Sequence, residues 1–281
     1  MPTPEAPSPA GALVLEPAPE KIIVFDDVSI AFEENRVLEG ISFQLDHGET
    51  KILLGVAGTG KTLILKMALG LLKPDRGHIY VLGHDVTAMR EEDLFALRRQ
   101  IGMIFQESAL FDSLTVKENV GYRLIEEGTS DEELERRVRE ALRFVELERT
   151  IDMFPSELSG GMRRRVAIAR AIITQPEVLL YDSPTAGLDP ITSTTIIELV
   201  VKQRDVYHTS ALLVTHRLQD AFIMASHRFD QKLNRMRPIE KGEPVETNTS
   251  FLILRDAKVI FDGTALELAR SRDEYIREYL S

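Results

Sequence analysis

The clearest chemical pattern in the sequence is a glycine-rich stretch that ends in a lysine and a threonine. Its residues are Gly55, Val56, Ala57, Gly58, Thr59, Gly60, Lys61 and Thr62, which fit the pattern G-x-x-x-x-G-K-[ST]. Glycine lets the backbone curve so that successive N–H groups point at phosphate oxygens. In this pattern the lysine reaches the β- and γ-phosphates, and the threonine hydroxyl ligates Mg²⁺. The stretch therefore predicts a site for a nucleoside triphosphate with Mg²⁺.

The flanking sequence supplies the structural context that this motif requires. Residues 52–54 are apolar and predict a buried strand, whereas residues 63–72 predict a helix. The glycines then lie at a strand-to-helix turn, where the helix dipole adds to anion binding. A glycine-rich turn that matches by chance is the alternative, and the strand and helix on either side argue against it.

Three further polar residues come at the ends of predicted apolar strands: Gln106, Asp182 and His216. If those strands are parallel and adjacent, their carboxyl ends share one crevice and the three side chains converge near the glycine-rich stretch. Asp182 would then hold Mg²⁺, directly or through water, and Gln106 would ligate Mg²⁺ or hold a water. Taken singly, Gln106 also fits a polar residue that closes a strand, and His216 a structural histidine.

A second candidate anion site comes later in the chain, at Ser159, Gly160 and Gly161. Ser159 is placed to cap a helix predicted over residues 160–174, and three arginines follow at 163–165. One interpretation is an ordinary capped helix. The other is an anion site made from a hydroxyl, glycine N–H groups and a helix dipole.

Composition excludes several classes of function for this 281-residue chain. Its formal net charge of −11 argues against broad nucleic-acid binding, and the absence of cysteine excludes disulfides, zinc–thiolate sites and iron–sulfur clusters. No apolar run approaches the ~18 residues that span a bilayer, and the N-terminus lacks a signal-peptide pattern. We expect the chain to lie in the cytosol, held at any membrane by another protein.

The sequence also predicts how the chain is divided. Residues 1–20, rich in proline and alanine, predict a disordered tail. Residues 21–270 carry all the motifs and predict one domain, with a helical subdomain at about 90–175 and a flexible polar insertion at about 228–250. Residues 265–281 predict a C-terminal amphipathic helix.

Over about residues 22–270 the chain resembles the ATP-binding subunits of ABC transporters. The resemblance lies in the order of the motifs, namely the glycine-rich P-loop, Gln106, the Leu158–Gly161 segment, Asp182, Leu188-Asp189 and His216. It implies an α/β, P-loop NTPase fold with a RecA-like core sheet, an N-terminal antiparallel β subdomain and an inserted α-helical subdomain. It also implies that ATP and Mg²⁺ are the cofactors.

The resemblance further implies that two ATPase subunits pair head to tail, in a homodimer if the partner is identical. Each of two ATP molecules would lie between one P-loop and the partner's copy of Ser159, Gly160 and Gly161. A lone chain would then hold two incomplete half-sites, which links dimerisation to ATP.

Other residues receive roles from the same resemblance. Phe32 would stack on the adenine, although by its residue type it also fits a core position. Gln106 would couple the site to a membrane permease, Asp189 would lie in the loop that crosses the dimer, and His216 would contact the γ-phosphate.

A narrower resemblance is to the ATPases of the MCE/Mla lipid transporters. It rests on residues 108–116, on Met162 in place of the usual glutamine, and on residues 189–192. It implies a location at the cytoplasmic face of the inner membrane, in a complex with a permease and an MCE substrate-binding protein. A small STAS-domain protein is a further candidate partner, and the transported substrate would be phospholipid.

Ser183 departs from the family pattern, because these ATPases usually carry glutamate there as the general base. A hydroxyl cannot accept a proton at neutral pH as a carboxylate does, and losing a general base costs on the order of 10²–10⁴ in rate. P-loop catalysis depends mainly on positioning and charge stabilisation, so slow turnover could survive with His216, or a water held by Ser183, as the substitute. The sequence therefore predicts normal ATP binding with slow hydrolysis.

Two alternatives remain at this point. One is a soluble ABC-type ATPase of translation or DNA repair, although such proteins usually carry two cassettes or long coiled-coil insertions, and this chain has neither. The other is a regulatory subunit that senses ATP by dimerising without turning it over, which Ser183 supports.

Overall fold

The computed structural model describes residues 21–240, 242–243 and 247–280, so the predicted tail at 1–20 lies outside the described residues. The strands are β1 (Lys21–Phe32), β2 (Asn35–Asp46), β3 (Thr50–Leu54), β4 (Arg76–Val81), β5 (His84–Asp85), β6 (Ile101–Ile104), β7 (Val178–Asp182), β8 (Ser210–Val214), β9 (His227–Asp230), β10 (Arg235–Pro238), β11 (Thr249–Arg255) and β12 (Lys258–Thr264). The α-helices are α1 (Lys61–Ala68), α2 (Glu91–Arg98), α3 (Val116–Glu126), α4 (Asp131–Phe144), α5 (Gly160–Ile172), α6 (Pro190–Tyr207), α7 (Leu218–Ser226), α8 (Ala265–Ala269) and α9 (Glu274–Leu280). No helix among these residues is both long enough and apolar enough to cross a membrane.

Six strands form the main sheet, in the spatial order β12-β11-β3-β8-β7-β6. The five strands from β11 to β6 run parallel, and β12 is an antiparallel edge strand. Every residue of β3, β7 and β8 is buried, which explains why these strands are mostly apolar in sequence. This order brings the carboxyl ends of β3, β8, β7 and β6 to one edge of the sheet.

Successive side chains of β3 enter two different hydrophobic cores. Ile52 and Leu54 belong to the core formed with helices α3 to α7, here called the helical-side core. Leu53 belongs to the core formed with α1, β1, β2 and β4. This alternation is the geometry of an extended strand. It places helices on one face of the main sheet and the N-terminal β subdomain on the other.

The N-terminal β subdomain is an antiparallel sheet in the order β2-β1-β4-β5. In sequence, residues 22–25 and 28–32 predict two separate strands, but β1 is one continuous strand with irregular register. Asp27, with a φ of 51°, lies where the pairing shifts between Phe25 and Val28. A β-bulge of this kind absorbs an extra residue without ending the strand.

The fold class is the predicted one, an α/β P-loop NTPase with an antiparallel β subdomain and a helical layer. The interval 90–175, predicted as a helical subdomain, also contains β6, which belongs to the main sheet. Gly102 allows β6 to pack closely, because a Cβ there would lie 2.6 Å from Leu179 Cδ2. Of the helices in this interval, α3, α4 and α5 pack in the core shared with α6 and α7, whereas α2 packs in the other core.

The prediction of a flexible insertion over residues 228–250 is wrong for the first part of that segment. Strands β9 and β10 form an antiparallel hairpin there. The N–H of Met236 donates to the Glu198 carboxylate at 2.6 Å, which attaches the hairpin to α6. A two-stranded ribbon with polar side chains reads like a loop in sequence, which explains the error. Residues 241 and 244–246 lie outside the described residues.

The predicted C-terminal helix over 265–281 is two short helices, α8 and α9. Thr264 caps α8 in a capping box with Glu267. The Asp273 carboxylate accepts from the N–H of Ile276 at 3.0 Å in the first turn of α9. The break between the two helices turns α9 back toward the main sheet, where Ile276 is buried in the helical-side core.

Candidate nucleotide-binding site

The P-loop, residues 55–62, leaves β3 and enters α1, as the sequence predicted. Gly55, Gly58 and Gly60 have φ angles of 147°, 82° and 87°, in the region that favours glycine. A Cβ on Gly55 would lie 2.7 Å from the Leu254 carbonyl oxygen, whereas one on Gly58 would meet nothing within 4 Å. The loop is thus packed against β11 at its start and open at Gly58.

The Lys61 ammonium lies over the P-loop and is largely buried. Its Nζ donates to the carbonyl oxygens of Gly55 at 2.9 Å and Val56 at 2.7 Å, and to Thr59 Oγ1 at 3.1 Å. Burial lowers the pKa of Lys61, and the charge of Asp182 opposes this effect. A cation held at the mouth of a curved loop is suited to an incoming phosphate group.

Thr62 and Asp182 meet across the carboxyl edge of the sheet. The Thr62 hydroxyl donates to Asp182 Oδ1 at 3.2 Å, and Asp182 is buried at the end of β7. Hydroxyl and carboxylate oxygens are the ligand types that Mg²⁺ takes in phosphate-binding sites, with phosphates and water completing its coordination. Among the described residues, no group of three or more acidic, histidine or cysteine side chains is arranged to hold a metal ion by itself. The donor set therefore fits Mg²⁺ held together with a nucleotide, and the residues present fit both cofactors.

Gln106, Ser183 and His216 follow neighbouring parallel strands of the same sheet edge. Gln106 and His216 are exposed, whereas Ser183 is buried with a φ of 48°. The N–H of Ser183 donates to the Val214 carbonyl at 2.9 Å, and its Oγ lies 3.5 Å from Asp182 Oδ1. The expected convergence of strand ends is present, with a hydroxyl beside the strand-end acid.

The loop that carries Gln106, here called the glutamine loop and defined as residues 105–110, is fastened to α5 by two arginines. Arg164 Nη1 donates to the Phe105 carbonyl at 2.7 Å. Arg170 donates to the carbonyls of Ala109 at 2.7 Å and Ser108 at 2.8 Å. In the sequence, Arg164 stands out only as part of a basic cluster, and Arg170 carries no signal. The helix after Ser159 therefore also positions the glutamine loop.

Ser159 caps α5, as predicted, and its Oγ accepts from the N–H of Met162 at 3.2 Å. Ser159 and Gly160 are exposed at the start of the helix. Gly161 faces α6, where a Cβ would lie 2.3 Å from Thr192 Cγ2. The segment thus presents a hydroxyl and a helix N-terminus to the surface, in the arrangement that binds anions.

Asp189 caps the N-terminus of α6. Its carboxylate accepts from the N–H groups of Ile191 and Thr192, both at 3.0 Å. The hydrogen bond from the Thr192 hydroxyl, with those from the backbone, lowers the pKa of Asp189. Asp189 remains exposed, and its place in a loop between two subunits stays a prediction.

Phe32 lies at the tip of the β1–β2 hairpin with 47% of its surface exposed, so it is not a core residue. The same hairpin approaches the P-loop, because a Cβ on Gly60 would lie 2.9 Å from Leu38 Cδ2. Leu38 pairs with Ile30, which is two positions from Phe32 in β1. The adenine-stacking role of Phe32 stays a prediction.

Comparison with known proteins agrees with this arrangement. Residues 38–186 match the family model described as ABC transporter. The chain is 37% identical over 275 residues to the chloroplastic protein TRIGALACTOSYLDIACYLGLYCEROL 3 of Arabidopsis thaliana, covering 94% of this chain and 75% of that protein. It is 34% identical over 241 residues to the methionine import ATP-binding protein MetN 1 of Bacillus thuringiensis subsp. konkukian, covering 84% of this chain and 69% of that protein.

Solved structures give the same result. A dimeric post-hydrolysis structure of the ATP-binding cassette MJ0796, bound to ADP and Pi, matches with a TM-score of 0.71 and 27% identity, over 86% of this chain and 98% of that one. CbiO1 of Clostridium perfringens, part of the transporter complex cbiONQ, matches with a TM-score of 0.73 and 25% identity, over 92% of this chain and 94% of that one. The chain therefore belongs to the ATP-binding subunits of ABC transporters, a family of ATPases that use ATP with Mg²⁺.

Proposed function

We propose that this chain powers the movement of a lipid through a membrane permease. The observation that carries the proposal is the 37% identity, over 94% of the chain, to an Arabidopsis protein named for a galactolipid. The resemblance of residues 108–116 and 189–192 to MCE/Mla ATPases supports the same substrate class. In this proposal the chain lies at the cytoplasmic face of the inner membrane, with an MCE protein and a STAS-domain protein as further candidate partners.

Amino-acid import is the second candidate function, since relatives named for methionine import are 34% identical over 84% of the chain. A pull-down from solubilised membranes, with mass spectrometry of proteins and bound lipids, separates the two candidates. Lipid transport predicts a co-purifying permease and MCE protein with phospholipid. Recovery of a permease with an amino-acid-binding protein, and ATPase activity stimulated by methionine, would contradict it.

We also propose that the chain works as a head-to-tail pair. In one copy, the P-loop lies at the carboxyl edge of the main sheet, and the exposed Ser159 and Gly160 lie at the start of α5. The matched MJ0796 cassette is dimeric with ADP and Pi. In the pair, Ser159 of the partner subunit closes the anion site that Lys61 and the P-loop begin.

Slow hydrolysis is the third part of the proposal, and it rests on Ser183. The family usually carries a glutamate base at this position, but this chain carries a serine. The serine hydroxyl lies beside Asp182. Binding depends on the P-loop, Thr62 and Asp182, so the proposal separates nucleotide affinity from turnover. A subunit that senses ATP without hydrolysing it is the limiting case.

Ser183→Glu is predicted to raise the steady-state ATPase rate of the assembled transporter by about 10²-fold or more, the typical contribution of a general base. Ser183→Gln is the matched control, because glutamine has the shape of glutamate and meets the same backbone strain at this position, but it lacks the basic carboxylate. Nucleotide affinity should change little in either variant. If Ser183→Glu turns over no faster than Ser183→Gln, the missing base does not limit hydrolysis.

A further inference from the structure

The C-terminal helix α9 reaches the start of the P-loop. The N–H of Gly55 donates to the hydroxyl of Tyr279 at 3.1 Å, across 224 residues of sequence. The matched family model ends at residue 186, so α9 lies well beyond it. None of the functions assigned so far uses this contact.

Two contacts hold α9 in the position that this hydrogen bond requires, and a third, within the helix, orders the Tyr279 ring. Ile276 is 1% exposed and packs in the helical-side core. The guanidinium of Arg255, at the end of β11, lies 4.0 Å from the centre of the Tyr275 ring. The rings of Tyr275 and Tyr279 stack with their centres 5.9 Å apart. The helix is thus docked through its side chains and does not rest on the hydroxyl contact alone.

The hydrogen bond falls at the point where regular strand pairing stops. β11 pairs with β3 as far as Ile253 opposite Leu54, and Gly55 is the next residue of the chain. A buried backbone N–H without an acceptor is costly, so an N–H beyond the ladder needs a partner. The Tyr279 hydroxyl supplies that partner. A tyrosine hydroxyl is neutral at physiological pH, and burial raises the pKa of Tyr279 further.

Gly55 is also held from its other side. Its carbonyl oxygen accepts from Lys61 Nζ at 2.9 Å, so the two peptides that flank its Cα are each bound to a side chain. Between those peptides the φ of 147° uses the freedom that only glycine has. Losing one of the two contacts would let the entry of the P-loop sample more conformations.

We propose that Tyr279 is a positioning residue for nucleotide binding, whose hydroxyl fixes Gly55 and so presets the P-loop for the triphosphate. The conformational entropy of the P-loop is then lost when α9 docks, before ATP binds, and not during nucleotide binding. Nucleotide affinity therefore depends on an element outside the P-loop and the Ser159 segment, and any partner that displaces α9 lowers that affinity.

The test is Tyr279→Phe, which removes the hydroxyl and keeps the ring. Affinity for MgATP, measured by calorimetry on the full chain, should fall roughly threefold to tenfold, the factor that one hydrogen bond contributes. KM for ATP should rise with kcat unchanged, because the hydroxyl does not touch the reacting atoms. Hydrogen exchange at the Gly55 amide should become faster.

Tyr275→Phe is the matched control, since it deletes a hydroxyl from the neighbouring ring of the same helix, where the described residues form no hydrogen bond with it. The control should leave MgATP affinity and Gly55 exchange as in the wild type. Unchanged affinity in Tyr279→Phe would overturn the proposal. So would an equal loss in both variants, because it would show that helix docking alone, and not the hydroxyl, sets the affinity.

Discussion

At the scale of single residues, Gly161 shows how closely the helix after Ser159 is packed against its neighbour. A Cβ at this position would lie 2.3 Å from Thr192 Cγ2. Thr192 cannot turn away freely, because its hydroxyl donates to Asp189 Oδ2 at 2.5 Å. Glycine at 161 therefore allows α5 and the Asp189 cap of α6 to meet.

Gly161→Ala is predicted to lower the free energy of unfolding by about 1–3 kcal/mol, the usual cost of overpacking, as measured by urea denaturation. Adding Thr192→Ser should restore much of the loss, because it removes the clashing methyl and keeps the hydroxyl bound to Asp189. Gly160→Ala is the control, since its Cβ would lie 3.9 Å from the nearest atom, Leu188 Cδ2. A double variant as unstable as Gly161→Ala would refute this explanation.

The sequence predicted those site residues that lie in short local motifs. The P-loop, the Ser159 cap and the acid at the end of β7 each follow from a few neighbouring residues and their predicted strand or helix. Tyr279 and Arg170 carry no such signal, because their partners lie 224 and 61 or 62 residues away. Contacts of that kind are set by the packing of whole elements, which a single sequence does not reveal.

At the scale of elements, α5 links the two parts of the site that the sequence treated separately. Its N-terminus carries Ser159, and its arginines hold the glutamine loop by three backbone carbonyls. Ser108 and Ala109 have φ angles of 64° and 48°, which is an unfavourable conformation for residues with a Cβ. The arginine contacts therefore stabilise a strained loop.

Arg170→Ala is predicted to speed hydrogen exchange in residues 105–110 and to lower the free energy of unfolding by about 1–3 kcal/mol, because two carbonyls lose their donor. Arg163→Ala is the control, since Arg163 is exposed on the same helix. Exchange-detected mass spectrometry with and without MgATP measures the effect. Equal protection of the glutamine loop in both variants would mean that Arg170 does not hold it.

Prediction of elements succeeded where apolar pattern and turn chemistry agree. In sequence, residues 251–261 predict a hairpin with its turn near Asp256 and Ala257. Strands β11 and β12 form that hairpin, and both turn residues have positive φ. The β9–β10 ribbon was missed because its residues alternate little and its strands have four residues each. Short, polar strands gain their stability from packing on α6, which sequence periodicity does not report.

At the scale of the whole molecule, the proposed function gives one chain two different halves of an ATP site. In the proposed function the P-loop with Thr62 and Asp182 would bind the phosphates and metal, and the exposed Ser159 segment would offer a second anion site on the α5 side. Slow hydrolysis at Ser183 would keep a pair of subunits closed for longer than in relatives with a glutamate base. The wild-type protein is therefore expected to form an ATP-dependent dimer.

The central claim is that ATP joins two copies of this chain through the P-loop of one and the Ser159 segment of the other. Sedimentation velocity of the wild type, with MgATP and with MgADP, tests it most directly. We predict a dimer with MgATP, a monomer with MgADP, and a monomer under both conditions for Lys61→Ala, which loses the phosphate-binding cation. A wild type that stays monomeric at saturating MgATP, or a Lys61→Ala variant that dimerises as readily, would contradict the account.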